Sequence, residues 1–207
     1  MTEPISNPAA IRASALGSAR LLTAPDLAAS NAMARLEREG ALQRIIPGVY
    51  LGARHPRHPL IEAAAWTLRH PNVVVCLLTA AVFHDLTDAF ARGTWLFVPV
   101  GSSVPRSSVV KVNVVQTAPR FIDPAVDGEL GIVKLDVHGV EVRVTDPDRT
   151  TLDLWRYPRR VASENAVDAL RRRVSTPGFD TPGFARLARK LEVWDRVEPI
   201  LRGLMLR

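Results

Sequence analysis

Apolar positions along this chain change their period from segment to segment, and each change marks an element. From Ser30 to Gly40, "SNAMARLEREG", Met33, Leu36 and Gly40 fall on one side of a helical wheel, with Ala32 near them. Asn31, Arg35 and Arg38, at spacing i, i+4, i+7, share a narrow wedge on the other side. Ser30 is placed to cap this helix and Gly40 to end it in the left-handed conformation. "LQRII" and "VYLG" follow, on either side of the turn pair Pro47-Gly48, and read as a hairpin. Upstream, Ile11 to Ala19 reads as a weak helix, and "TAPD" from Thr23 to Asp26 has the capping-box pattern.

The remainder alternates between the two periods. Leu60 to Arg69 reads as a helix and Val73 to Leu78 as a buried strand, with Thr79 placed to cap a short helix. "TWLFVPV" and "VVKVNVV" read as strands, and "GIVKLDV" with "VEVRVT" as a hairpin around His138-Gly139. "TDPD" from Thr145 to Asp148 repeats the capping logic and opens the helix "DRTTLDLWR". The last fifty or so residues have helical period throughout, with "TPGF" at Thr176 and Thr181 marking a turn and a helix start. The fold class expected is α+β. "HPRHP", from His55 to Pro59, reads as an extended linker, so two domains are expected, residues 1–58 and 59–207.

Composition narrows the function. The 207 residues are 47% apolar and 23% charged, as in ordinary globular proteins, with a net charge of +6. A basic excess made mostly of arginine favours partners that carry phosphates, and it also fits a basic enzyme. One cysteine, Cys76, forms no internal disulfide, which points to the cytoplasm. The N-terminal residues lack a basic region followed by an apolar core, so no secretory signal is expected. The longest apolar run, Val73 to Phe83, is too short to span a bilayer, and no membrane partner is expected.

The wedge of Asn31, Arg35 and Arg38 has the chemistry of a base reader. Asn reads adenine bidentately, and Arg reads guanine or holds phosphate. Arg44 in the hairpin adds a guanidinium where the wing of a winged helix-turn-helix touches the adjacent backbone. The same wheel also describes an amphipathic helix with a solvated basic face, and periodicity alone does not choose between them.

"LLTAPDLA…MARLEREGALQRIIPGVY" resembles the N-terminal winged-helix domain of the AbiEi family, antitoxins and transcriptional regulators of type IV toxin–antitoxin systems. "TAAVFHDLTD", "VEVRVTDPDRTTLDLWRYP" and "AVDALRRR…FDTPGFARLARKLEVWDRVEPIL" resemble later segments of that family in the same order, over nearly the whole chain. One departure is that the stretch between Leu27 and Leu36 is shorter than the family's helix-turn-helix. The resemblance implies a winged helix followed by a mixed α/β domain with a helical tail. It implies a cytoplasmic repressor that binds double-stranded DNA at repeats in its own promoter. It also implies functional linkage to a nucleotidyltransferase-like toxin, with no stable complex between the two.

Other constellations favour structure over chemistry. Arg149 and Asp153 are spaced for an ion pair that locks a helix onto the sheet, rather than for a catalytic carboxylate. His84 and Asp88 lack ligand-spaced partners, and His55 and His58 flank Pro56 without a third ligand, so no metal site is expected. Asp136 and Glu141 around a hairpin faintly resemble a nuclease core, but no lysine follows Glu141. No catalytic residue, cofactor or enzymatic activity is expected. The alternative is a nucleic-acid-processing, nuclease-like enzyme targeted by the winged helix, which requires a carboxylate cluster.

Overall fold

The structure is a computed structural model that describes residues 15, 17, 19–23 and 30–206, with side chains in the first helix from residue 33 onward. It is of α+β class and divides into two compact units. One comprises Met1–Pro71 with Ser107–Val110 and Asp136–Val142; the other comprises Asn72–Arg106, Lys111–Leu135 and Arg143–Arg207.

In the first unit, β1 (Leu22–Thr23), helix α1 (Ser30–Arg38), β2 (Leu42–Ile46) and β3 (Val49–Gly52) precede helix α2 (Ile61–Arg69). The three strands form an antiparallel sheet in the order β1-β3-β2, with Leu22 opposite Tyr50 and Arg44 also opposite Tyr50 on the other side. Met33 and Leu36 on α1 are buried against Ala15, Leu22, Leu42 and Tyr50, which is the face the wheel assigns to the core.

Gly40 ends α1 at φ +69°. Its N–H donates to Glu37 O at 3.0 Å and Ala41 N–H donates to Leu36 O at 2.8 Å, the paired bonds of a Schellman motif. Pro47-Gly48 closes the hairpin with Gly48 at φ +79°, the conformation that the third position of a type II turn demands. The ladder slips between Arg44 and Ile46, so Ile45 is an extra residue and both isoleucines are buried in succession.

The linker does not part α2 from the first unit, unlike the division at residues 58 and 59. Arg69 Nη1 donates to Pro47 O at 2.8 Å, and Ile61, Ala64 and Trp66 are buried. Of the helix expected at Ile11 to Ala19, only Ala15, Gly17 and Ala19 are described; the first two are helical and Ala19 is not. The helix "TAPD" would open and the capping side chain of Ser30 lie outside the described residues. Thr23 itself pairs with Val49 in β1.

The second unit is built on a five-stranded mixed sheet in the order β6-β5-β4-β8-β7. Its strands are β4 (Val74–Val75), β5 (Thr94–Pro99), β6 (Val112–Thr117), β7 (Ile132–Val137) and β8 (Val140–Thr145), the tip of the last hairpin clustering with the first unit. His138 at φ 52° and Gly139 at φ 77° make the two-residue turn expected there. Helices α3 (Leu77–Phe83), α4 (Pro147–Arg156), α5 (Ser163–Val174), α6 (Thr181–Lys190) and α7 (Trp194–Met205) complete the fold. One core holds Cys76, Phe97 and Ile132, and a second, under the helical tail, holds Leu152, Leu170, Phe184 and Val197.

Three local expectations fail, one to an early helix start and two to competition from a neighbouring partner. The strand expected from Val73 to Leu78 is cut to Val74–Val75 because α3 begins at Leu77. Thr79 lies inside α3 and accepts the N–H of Trp95 at 2.9 Å instead of capping. At the start of α4 the cap is Asp146, not Thr145: Asp146 Oδ1 accepts Arg149 N–H at 2.7 Å. Thr145 stays in β8 and shares a 2.7 Å hydrogen bond with the Thr150 hydroxyl, while Asp148 accepts from Arg173 Nε at 2.6 Å.

Candidate nucleic-acid interface

The basic wedge forms on α1 because the core claims the opposite face. With Met33 and Leu36 buried, Arg35 and Arg38 are turned outward and exposed. Asn31 is helical by its backbone, and its side chain lies outside the described residues. Arg44 projects from β2, on the strand that continues directly from the helix through the Gly40 turn.

The three guanidiniums are not bare. Arg44 Nη2 donates to Glu37 Oε2 at 2.6 Å, and its guanidinium carbon sits 5.7 Å from the Tyr50 ring centroid. Hydrogen bonding to Glu37 holds the Arg44 guanidinium above its ordinary value, so it is charged at every working pH. Arg35 pairs with Glu39 at 3.5 Å, one turn further along α1. Arg38 Nε donates to Ala34 O at 3.3 Å. The wheel places Glu37 and Glu39 off the wedge, yet their side chains reach back to the arginines. A wheel gives the direction of a Cβ, not the reach of a four-atom side chain. Exposed pairs of this kind are weak and exchange readily for a stronger anion.

Two further cations flank the hairpin that the sequence reading passed over. Arg57 Nε donates to Gln43 Oε1 at 3.1 Å, and Gln43 Nε2 donates to Ala53 O at 3.1 Å, so the linker arginine is held beside β2. Arg69 is held at the turn by Pro47 O. Arg57 lies just beyond the hairpin in sequence and Arg69 further on, and only "HPRHP" itself, a cation between prolines, signals the first.

The remaining chemistry-bearing residues are occupied structurally. Arg149 and Asp153 are fully buried, with Arg149 Nε donating to Asp153 Oδ2 at 2.7 Å. The other Arg149 nitrogens donate to Leu130 O at 2.7 Å and Phe121 O at 3.0 Å, and Arg156 Nη1 donates to Asp153 Oδ1 at 2.7 Å. Arg143 clasps Asp127 with both forks of its guanidinium. His84 Nε2 lies 2.8 Å from Thr145 O, and burial holds its imidazole below the ordinary value. Asp88 pairs with Arg172. Burial pushes the Cys76 thiol well up, so it carries no thiolate. Among the described residues, no group of three His, Cys, Asp or Glu side chains is placed to hold a metal ion.

No family model and no curated protein matches this chain. Among solved structures, it is similar to the Rv2827c protein from Mycobacterium tuberculosis, at 16% identity and a TM-score of 0.55, over 93% of this chain and 79% of that one. That likeness is one of fold. No described helix is long and apolar enough to cross a membrane.

Proposed function

We propose that this protein is a DNA-binding transcriptional regulator whose first unit is a winged helix-turn-helix. The observation that carries the reading is the continuity of α1, the Gly40 turn and the β2–β3 hairpin, with Arg35, Arg38 and Arg44 all outward. In that geometry α1 enters the major groove and the hairpin lies along the adjacent phosphates. The strand β1, paired to β3 on the side away from β2, ties the hairpin to the segment before the helix, which fixes the wing relative to the reader. The resemblance to AbiEi antitoxins adds the biological setting: repression of its own operon in the cytoplasm at repeat sites, and neutralisation of a nucleotidyltransferase-like toxin without a stable complex.

The nuclease alternative needs a cluster of free carboxylates: Asp127, Asp148 and Asp153 are each bound to an arginine, and Asp136 accepts Gly139 N–H at 3.3 Å at the hairpin tip. No observation favours it. The deciding experiment is footprinting on the protein's own promoter. Protection of a short repeat is expected, together with a salt slope that falls by about 1 for each phosphate-contacting arginine removed among Arg35, Arg38 and Arg44. Equal affinity for promoter and random DNA at physiological salt refutes specific repression.

A further inference from the structure

The helix that carries the buried Arg149–Asp153 pair ends in "RYPRR", and this ending builds a second basic site, in the second unit. A groove of about 330 Å³ is lined by Arg156, Tyr157, Pro158, Arg159, Arg160 and Arg196. An adjoining groove of about 480 Å³ shares Tyr157 and Arg160 and continues along the edge strand β6 past Val104, Arg106, Val114 and Gln116. Among the described residues, no carboxylate lines either groove. Among the described residues, Arg106, Arg159 and Arg160 form no ion pair, and Arg196 donates only to a carbonyl, Trp155 O, at 3.4 Å.

The walls are fixed in advance. Arg156 is held by buried Asp153 and lies 4.2 Å from the Phe121 ring centroid and 5.3 Å from that of Tyr157. The Tyr157 hydroxyl donates to Thr117 Oγ1 at 3.2 Å. Arg160 N–H donates to Tyr157 O at 2.9 Å, closing the turn that Pro158 opens. Arg156 is neutralised by Asp153, but Arg159, Arg160 and Arg196 face the same groove with no ion pair among the described residues. They repel one another, and an anion with several oxygens relieves that repulsion. The second groove differs: valines and an amide line much of it, which suits a flat, partly apolar group.

From this pairing we infer that the two grooves together form a binding site for a nucleoside polyphosphate. The phosphates sit among Arg156, Arg159, Arg160 and Arg196, and the nucleoside lies along β6 against Val104 and Val114. Both volumes fall in the range of small-ligand sites. A single-stranded nucleic acid fits less well. Such binders stack bases on a free aromatic face, and Tyr157, the one ring lining the grooves among the described residues, packs into the core with its centroid 5.3 Å from Phe97. The inference is independent of how the first unit treats DNA.

The test is calorimetric titration of the full-length protein, with divalent ions chelated, against ATP, inorganic tripolyphosphate, adenosine and a twelve-residue oligothymidylate. Saturable binding of ATP at one per chain is expected, with tripolyphosphate weaker and adenosine weaker still. Arg159 and Arg160 are exposed, so the double variant Arg159→Ala/Arg160→Ala should keep the wild-type melting temperature. It should bind ATP and tripolyphosphate at least tenfold more weakly, and lysine at both positions should recover part of the loss. Any of three results overturns the inference: no saturable ATP binding at millimolar concentration, ATP binding unchanged in the double variant, or tripolyphosphate binding as tightly as ATP. Oligothymidylate binding tighter than ATP and lost in the same variant also overturns it, and marks the grooves as a nucleic-acid track.

Discussion

Glu37 and Asp153 are both carboxylates bound to an arginine, and their surroundings make them opposites. The Glu37–Arg44 pair is partly exposed, so water and salt compete with it and its removal hardly disturbs the fold. Its effect falls on function. If Arg44 meets phosphate, Glu37 is a rival anion that must first let go. Glu37→Gln should therefore tighten promoter binding by several-fold at low salt, with an unchanged melting temperature. A weaker or unchanged affinity in a salt titration would show that Arg44 does not contact DNA. Asp153 has no water to fall back on. Asp153→Ala leaves the Arg149 guanidinium buried with one donor orphaned and loosens Arg156 as well. Breaking a buried pair in this way costs about 3–5 kcal/mol, and urea denaturation should show it. The exposed Asp88–Arg172 pair is the control, and Asp88→Ala should leave the denaturation midpoint unchanged.

At the scale of elements, the joints are where sequence and structure part. The face of α1, the strands β5 and β6, the hairpin turn at His138-Gly139 and the Gly40 helix end were legible, because each depends on period or on a left-handed position. The ends of α3 and α4 were not. Thr79 and Thr145 have the right chemistry for caps, but tertiary partners, Trp95 N–H and the Thr150 hydroxyl, engage them. The ion pairs of the basic wedge were missed for a similar reason, since the wheel carries no reach. The "RYPRR" grooves were missed because they assemble from α4, α7, β6 and a loop that no local pattern unites.

The joint between α3 and β8 also predicts a pH response. Burial holds the His84 imidazole below its ordinary 6.5, although Thr145 O, Asp146 and Asp85 all pull it upward. The folded state thus prefers the neutral ring, and the unfolded chain takes up the proton first. Stability is full above about pH 6.5 and is lost as pH falls through that value towards the folded one. His58 and His70 shift the same way and add to the loss. The melting temperature should drop between pH 7.5 and 5.5. His84→Gln, whose amide can still donate to Thr145 O, should flatten part of that drop. An equally steep profile in the variant would assign the effect to the other two histidines.

On the scale of the whole molecule, the units are not consecutive stretches of chain, and this governs how the protein can be cut. The first unit needs α2: Leu60 and Ile61 are buried, each worth about 1.5–3 kcal/mol when fully buried, and Arg69 clamps the Pro47 carbonyl at the hairpin turn. It also includes Asp136–Val142, where His138 O accepts Leu21 N–H at 3.1 Å and His138 Nδ1 lies 2.8 Å from Ala19 O. Three lengths of chain should therefore behave differently. A fragment ending at residue 58 lacks α2 and should not unfold cooperatively. One ending at Pro71 recovers α2 and should show a cooperative melt, at a lower temperature than the unit has in the full chain. Within the full chain, His138→Ala should raise amide exchange at Leu21 without altering exchange in α2, because it loosens the hairpin tip that holds β1 but not the clamp at Pro47. Circular dichroism melts of the fragments and hydrogen exchange on the variant test this together. A fragment ending at residue 58 that melts as sharply as the one ending at Pro71 would restore the boundary to the proline linker and remove α2 from the folding unit.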